Sequence, residues 1–562
     1  MGSERLIHNE NFVRDAILIV MAAIAVSAPI YFWGVPRGND MPQHFQFALQ
    51  FESSLSKGAL YPGWASEANG GLGDVGVRFY PPLPYYSLVF FKTLTTTWYE
   101  GSVLAFAFWF CLGGFGVYFL SREWLDGGAS VLAAIVFTWL PYHVNQIYNA
   151  FFYAEFAGTA VLPFCFLFVA RVVKRCDLLS ILGLAAALAV LVLTHLPTAV
   201  MGSVALGVYA IAELWENRSL RSFLALGAGG LLGAAASSFY WIKLVAELNY
   251  VNHSTPEFTK TTFDFHSNFL AAYFYVGADD YISRSLWFAD LIFLITLGLI
   301  VCSILVRRLA RSNDSSDFRP LCFVAASSVF LATPLSWLIW QNFGLLQKIQ
   351  FPFRFLSVIS LCAAVLVAAS AGCFVRLAAT KYRPFVIISG GLLVATIVFS
   401  FAQVIRPALF TTRTEFDAMM TDHAAAKSCE CWWPVWAKPA ALQTPEGVDG
   451  LQTREIKARI NGTEHSKVLF TVPDGTSVIN VFYYPHWRLF DSGQSIDIQP
   501  DEQGRISFSQ GSVSKNLELV FVEPVYVRLA QIVSIAGGLA LVLLPIFNLV
   551  SSSRRREHFE TP

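Results

Sequence analysis

Charge is what this sequence is short of. Lysine, arginine, aspartate and glutamate make up 14% of its 562 residues, where a soluble domain carries roughly 25%. The shortage excludes a chain held in water by a charged shell. The 39 basic residues cancel 39 acidic ones, so nothing draws the chain to nucleic acid. Signatures of nucleotide and hydrolase chemistry are missing too: there is no Walker loop, no Rossmann glycine fingerprint, no nucleophile elbow and no HExxH. No short repeat or low-complexity linker interrupts the chain.

What is present is apolar: 55% of residues are hydrophobic and 15% aromatic. They gather in runs near 14–34, 102–121, 128–146, 156–173, 178–196, 198–216, 222–243, 288–308, 320–340, 355–375, 384–403 and 526–550. Runs of this length cross a bilayer as helices, so the expectation is an α-helical polytopic membrane protein of about twelve spans. The first run is too long for a cleaved signal and lacks a small-residue cleavage site, and reads as a retained helix. A shorter piece, 82–97, carries Lys92 in mid-run. With that piece lying in the interface, Arg122, Arg171, Lys174, Arg175, Arg218, Arg221, Arg307, Arg308, Arg311, Arg376, Lys381, Arg383 and Arg554–Arg556 fall on one face with both termini. The positive-inside rule makes that face cytoplasmic.

Residues 35–101, 147–155, 244–287, 341–354 and 404–525 then lie outside. The last of these alternates apolar and polar residues ("SKVLFTVPDGTSVINVFYYPHWRLF", "RISFSQ", "NLELVFV") with turn signals between, the pattern of a small antiparallel β-sandwich-like domain. The expected division is a transmembrane domain over 1–403 with a large first outer loop, a β-rich domain over 404–525, and a last helix with a basic tail over 526–562. Seven of the nine cysteines sit in or beside apolar segments, as small hydrophobes do. Cys429 and Cys431, in "SCECWW", are open to a disulfide or a two-cysteine metal site. "NGT" at 461–463 is a sequon for a host that glycosylates it.

Ionisable groups concentrate outside. Asp40 and His44, in "GNDMPQHF", are four residues apart and project from one helical face. Asp40 reads as a general base toward an acceptor hydroxyl, with His44 orienting it or joining a metal shell. Equally, an aspartate ahead of Pro42 reads as a helix cap. Glu155, in "YNAFFYAEFAGTA", enters the apolar zone, where a carboxylate is costly unless paired or wet. It reads as a functional acid or as half of an ion pair with an arginine, and His143, Asn145 and Asn149 line the same cleft. Arg354, in "QFPFRF", and Lys348, in "LLQKIQ", are basic residues on the side that disfavours them. They suit a grip on a lipid phosphate, or simple snorkelling. His195 is more readily a local hydrogen-bonding group, and Asp279 and Asp280 form a cation site or a solvated turn.

The order of these features resembles a known group. An early acid (Asp40), a Gly-rich loop ending "RFYPPLPYY", an interfacial helix and a span ending "SREW" are similar to the GT-C superfamily of polytopic glycosyltransferases. More closely, "DMPQHF", "GGLGDVGVRFYPPLPYY", "FFYAEFAG", "LTHLPTA", "IQFPFRFL" and "YYPHWRLF" resemble the bacterial membrane proteins labelled 6-pyruvoyl-tetrahydropterin synthase-related and their YfhO-type relatives, over nearly the whole chain. The pterin label implies no pterin fold. The resemblance implies inverting sugar transfer from a polyprenyl-phosphate-linked donor to a lipid, glycan or protein acceptor, in the bacterial cytoplasmic membrane with the site on the outer face. It implies Asp40 as the catalytic acid of the first loop and Glu155 as a second acid. Arg354, Arg78 and Lys348 would hold the donor phosphate, and Tyr80 and His195 would join the cleft lining. Membrane lipids surround it, nucleic acid is no partner, and no cofactor is assigned beyond an open divalent cation. Met41 stands where several GT-C branches carry a second acid, which weakens a metal bridged by adjacent carboxylates and leaves a magnesium or manganese ion open. The alternatives are a transporter or flippase, disfavoured by the lack of charge at mid-span, and a scaffold that recruits a partner through "CECWWPVW".

Overall fold

The computed structural model describes residues 10–217, 219–259, 263–271, 280–310, 318–405, 410–443, 452–460, 462–471, 476–509 and 516–557. Every apolar run forms helix. Among the described residues nine helices are long and apolar enough to cross a membrane: Phe12–Trp33, Trp98–Ser121, Gly127–Tyr148, Tyr153–Arg175, Leu196–Trp215, Trp287–Leu309, Pro352–Ala378, Arg383–Val404 and Val525–Asn548. The other three expected spans are irregular. Leu220–Ala236 turns by 74° into Ser238–Tyr250, and Arg319–Ala332 turns by 85° into Pro334–Asn342. The second bend has a visible cause, since Pro334 forces Thr333 into extended backbone (φ −110°, ψ 159°) and ends the helix before it. Leu178–Thr194 has 17 residues, about 26 Å at 1.5 Å each, a little short of a hydrocarbon layer of about 30 Å. The interfacial piece is a 14-residue helix, Pro82–Thr95, also too short to cross.

Polar residues set where the spans begin. The side chains of Thr97, Asp126, Asp177 and Ser219 accept backbone N–H bonds at the starts of the helices that follow them. Tyr153–Arg175 and Pro352–Ala378 are the most enclosed spans. Their first turns carry Glu155 and Arg354, which places both charges at one end of the bundle core. Their last turns carry Lys174, Arg175 and Arg376 at the opposite end.

Among the described residues, ten strands lie outside the bundle. β1 (Val35–Pro36) and β2 (Phe410–Thr411) pair antiparallel and tie the exit of the first span to the chain beyond Val404. The others are β3 (Gln452–Ile460), β4 (Thr463–Thr471), β5 (Thr476–Phe482), β6 (Trp487–Asp491), β7 (Gln494–Ile496), β8 (Gln499–Pro500), β9 (Arg505–Ser509) and β10 (Leu517–Phe521). They form one sheet in the order β7-β6-β10-β3-β4-β5-β9-β8, antiparallel except where β10 meets β3. The expected sandwich of two sheets is therefore not what forms. The apolar face of the sheet is covered by the first outer loop instead: Trp64, Leu72, Val75 and Phe79 share its core with Trp433, Trp487 and Tyr484. The sheet starts at Gln452, and part of the segment before it is helical, notably Arg413–Asp422 with a reciprocal Thr412–Glu415 capping box. Cys429 and Cys431 are disulfide-bonded. Asn461, Asp279 and the side chain of Asp280 lie outside the described residues.

Arg78 locks these parts together. It is fully buried; its Nε and Nη2 donate to Glu247 at 2.5 and 2.7 Å, and its Nη1 and Nη2 to Glu523 at 2.5 and 2.7 Å. The hydroxyls of Tyr484 and Tyr526 donate to Glu247 as well, each at 2.8 Å. First loop, bent helix, sheet and last span meet at one ionic knot.

Candidate functional site

The turn that presents Asp40 is fixed by two close approaches. At Gly34 (φ +127°) a Cβ would fall 2.0 Å from the Thr411 carbonyl oxygen, and at Gly38 one would fall 2.3 Å from Cβ of Phe151. Only glycine lets the chain pass so near. Asp40 then takes the N-cap position of the helix Met41–Ser56, with Pro42 in the first turn. Its carbonyl accepts the His44 N–H at 3.0 Å, but its carboxylate makes no capping bond. The position is a cap and the side chain is not used as one. Burial raises the Asp40 pKa to about 6; Arg354 pulls it down in part and Glu155 pushes it up.

One turn on, His44 is buried. Its Nδ1 lies 2.8 Å from the Tyr85 hydroxyl, and the rings of Tyr80, Phe151 and Tyr153 surround it at about 6 Å. Burial lowers its pKa to about 3, so the imidazole is neutral and serves as a hydrogen-bonding wall. Tyr80 stands between His44 and Trp432, with ring centroids 6.1 and 5.2 Å away.

Glu155, 1% exposed, is the best-satisfied acid here. Oε1 accepts the Tyr142 hydroxyl at 2.6 Å and Gln146 Nε2 at 3.0 Å, and Oε2 accepts Arg354 Nε at 2.8 Å. Gln146 Nε2 also reaches Thr159 Oγ1 at 2.9 Å, which bonds Ser357 at 3.0 Å. Arg354 gives Nη1 to the Ile349 carbonyl at 2.7 Å and lies 4.5 Å over the Phe351 ring. Its Nη2 has no partner among the described residues. Lys348, exposed beside it, carries no ion pair among the described residues.

Asp40, His44, Tyr80, Glu155 and Arg354 are thus brought together. His195 stands within electrostatic reach of Arg354 and His44; Arg78, His143, Asn145 and Asn149 are placed apart. The Arg78 guanidinium is neutralised by two carboxylates, with no free face for a phosphate. His143 packs among Phe110, Phe137 and Phe156, with Nδ1 3.2 Å from Gln146 Oε1. Asn149 donates to Gln403 at 2.8 Å, the Asn145 carbonyl closes its own helix, and His195 Nδ1 is 2.7 Å from Thr198 Oγ1.

Sequence reasoning missed Tyr142 and Gln146, which ligate Glu155 from one face of the helix Pro141–Tyr148. Their i, i+4 spacing in "PYHVNQIY" was the available signal. It also missed His253, which stacks on Trp432 at 4.3 Å and bonds Gln350 at 3.2 Å. Burial lowers the His253 pKa to about 4, with Lys348 and Arg354 adding to the effect. Among the described residues no three His, Cys, Asp or Glu side chains converge as a metal site.

A family model described as "6-pyruvoyl-tetrahydropterin synthase related domain; membrane protein" matches residues 77–404, more than half of the chain. The chain belongs to this family. The match runs from the loop that carries Arg78 through the span that carries Arg354, so most of the cluster lies in the family's own region. No curated protein matches the chain. Solved structures similar to it include ArnT from Cupriavidus metallidurans bound to undecaprenyl phosphate, at 13% identity and TM-score 0.43, covering 73% of this chain and 76% of that one. Another is the Archaeoglobus fulgidus oligosaccharyltransferase in the apo form, at 10% identity and TM-score 0.42, covering 73% and 58%. A third is the arabinofuranosyltransferase AftD from mycobacteria, at 14% identity and TM-score 0.44, covering 70% and 27%.

Proposed function

We propose that this multi-pass membrane protein is a glycosyltransferase that moves a sugar from a polyprenyl-phosphate-linked donor to a lipid, glycan or protein acceptor, with Asp40 as the base. One observation carries the reading: Asp40 is a carboxylate without a partner among the described residues, tuned to about pH 6, beside a cation that a second acid already holds in place. A base with a pKa near the working pH is the efficient one.

In this reading the acceptor hydroxyl attacks the anomeric carbon and gives its proton to Asp40. The bond from that carbon to the phosphate oxygen breaks, and the electron pair leaves with the lipid phosphate. Arg354, through its free Nη2, and Lys348 sit where that charge develops, and a fixed cation in a dry cleft stabilises it more than water does. Glu155 is the positioning residue that holds Arg354, and the neutral His44 and Tyr80 shape the floor. Attack opposite the leaving phosphate inverts the anomeric centre. The cluster lies at the end of the bundle opposite Lys174, Arg175 and Arg376, which supports an extracytoplasmic site in a bacterial cytoplasmic membrane.

The test is turnover. Purified wild-type protein is offered a panel of radiolabelled polyprenyl-phosphate sugars with lipid and glycan acceptors, in parallel with a folded Asp40→Asn variant. Sugar transfer by the wild type and its loss in the variant are expected. Equal turnover by both would remove Asp40 as the base, and facilitated movement of the donor across liposomes without transfer would replace the reading with transport.

A further inference from the structure

His195 stands at the junction of two helices. It ends Leu178–Thr194 in extended backbone (φ −161°, ψ 109°) and immediately precedes Leu196–Asn217. The first N–H groups of a helix lack partners within it. One of them, on Thr198, donates to His195 Nδ1 at 3.3 Å, and the Thr198 hydroxyl lies 2.7 Å from the same nitrogen. His195 thus caps the helix through a ring nitrogen, as asparagine does through its oxygen.

The cap fixes the chemistry of the ring. A backbone N–H can only donate, so Nδ1 carries no proton and the hydrogen of the neutral imidazole is on Nε2. Nε2 has no partner among the described residues, and it is not sealed in protein as the unpaired Nε2 of His143 is. His44 gives no such reading, because its Nδ1 partner is the Tyr85 hydroxyl, which can give or take a hydrogen.

The backbone holds this ring beside the Asp40 cluster. A Cβ at Gly158 would fall 3.1 Å from His195 Cβ, and Gly158 lies three residues after Glu155, on the same side of their helix. Arg354 and His44 are both within electrostatic reach of the ring. Arg354 keeps Nη2 open, its Nε and Nη1 being held by Glu155 and the Ile349 carbonyl. Two N–H groups that donate and cannot accept therefore border one cleft. A sugar hydroxyl between them would have its own hydrogen unplaced, whereas a phosphate offers acceptor oxygens alone.

We propose that His195 is a binding residue for the donor phosphate, its Nε2–H bonding one phosphate oxygen while Arg354 Nη2 holds another. This rests on the glycosyltransferase reading of the cluster and adds a residue to it. A neutral donor does what a second cation would not: it grips the phosphate without adding positive charge that would lower the Asp40 pKa. Its bond strengthens as the sugar leaves and negative charge gathers on the phosphate.

The experiment separates the cap from the donor. Full-length protein in detergent is titrated with undecaprenyl phosphate and with undecaprenol, which lacks the phosphate, and the ratio of the two dissociation constants is read. His195→Asn keeps an acceptor for the Thr198 N–H and is too short to place a donor where Nε2 sits. His195→Gln carries an N–H near the Nε2 position and gives up the cap. The wild type should prefer the phosphate by about a hundredfold. His195→Asn should lose about tenfold of that preference while its denaturation midpoint stays near the wild type's. His195→Gln should keep most of the preference with a lowered midpoint. An unchanged preference in His195→Asn would overturn the role of His195 and leave the phosphate site in place. A preference lost equally in both variants, following their midpoints, would make His195 a cap alone. No preference in the wild type would remove the phosphate site and the glycosyltransferase reading together. Inorganic phosphate that competes as well as the lipid phosphate at equal concentration would assign the site to free phosphate and overturn the proposal as well.

Discussion

Asp40→Asn should abolish turnover and make the protein more stable. The change keeps the shape of the side chain and removes its charge. Burial holds the Asp40 carboxyl at about 6, against an ordinary 3.8, so the folded chain binds that proton more tightly than the unfolded chain does. A carboxyl with a raised pKa subtracts stability as the pH climbs from about 4 to about 6, and the deficit persists in full above that. Roughly two pKa units amount to about 3 kcal/mol at 1.36 kcal/mol per unit, and water at a half-buried side chain trims this to about 1–2 kcal/mol. Asparagine carries none of it. The assay is the denaturation midpoint of both proteins in one detergent, stepped from pH 4 to pH 8. The two curves should meet near pH 4 and separate in favour of the variant, with the gap complete by about pH 7. A variant less stable than the wild type at pH 7, or a gap that does not change with pH, would refute the reasoning. The carboxylate would then be tied into a cap or an ion pair, and the case for a poised base would go with it.

Further outcomes follow from the same geometry. The rate of sugar transfer should rise with pH and level off above about 6, as Asp40 loses its proton; a flat profile over pH 5–7 would separate Asp40 from the rate. Glu155→Ala strands a buried guanidinium and should cost about 3–5 kcal/mol, read as the lowered denaturation midpoint, whereas Glu155→Gln should cost less and shift the pH profile to lower pH. Arg78→Met leaves Glu247 and Glu523 without the guanidinium that bridges them, Glu247 keeping only its tyrosine and His486 contacts, and should cost a similar 3–5 kcal/mol, with limited proteolysis releasing the sheet residues 452–521 before any transmembrane helix is cut. Alkylation in denaturant without reductant should label seven cysteines of nine, leaving Cys429 and Cys431 unmodified.

The parts of the fold set by local pattern were legible. Apolar runs located every span, and period-2 alternation located the strands between Gln452 and Phe521. Pro334 carried a signal for its bend that the reading of 320–340 as one straight span passed over, while at Ser237 no residue breaks a helix by itself. The sandwich expectation failed for a non-local reason. Alternation shows that a strand has a face to bury, not what will bury it, and here Trp64, Leu72, Val75 and Phe79 from a loop almost 400 residues earlier do so. The same limit governs the charges. Asp40, Glu155 and Arg354 stood out because ionisable groups at the ends of apolar runs are costly. Arg78 entered through the family resemblance and is placed differently from the expectation, since its two partners lie 169 and 445 residues away. Tyr142 and Gln146 escaped notice because helical phase decides which residue of a polar run faces an acid, and one step along the chain turns a side chain by about 100°.

In the proposed reaction, the pairing of Glu155 with Arg354 helps to keep Asp40 basic. A lone arginine beside a half-buried aspartate lowers its pKa by one to three units, leaving a carboxylate too weak to take a proton from a hydroxyl near neutrality. Glu155 offsets part of that pull with a smaller push upward, and burial outweighs both. The same ion pair uses only the Nε edge of Arg354, so the outer edge keeps its donor for an arriving phosphate. A donor phosphate bound there would bring negative charge beside Asp40 and raise its pKa further, and its departure would return the carboxyl toward its resting value. In the proposed mechanism a fixed acid–arginine pair would thus separate two tasks that a single arginine would set against each other: holding the leaving group, and leaving the base free to work.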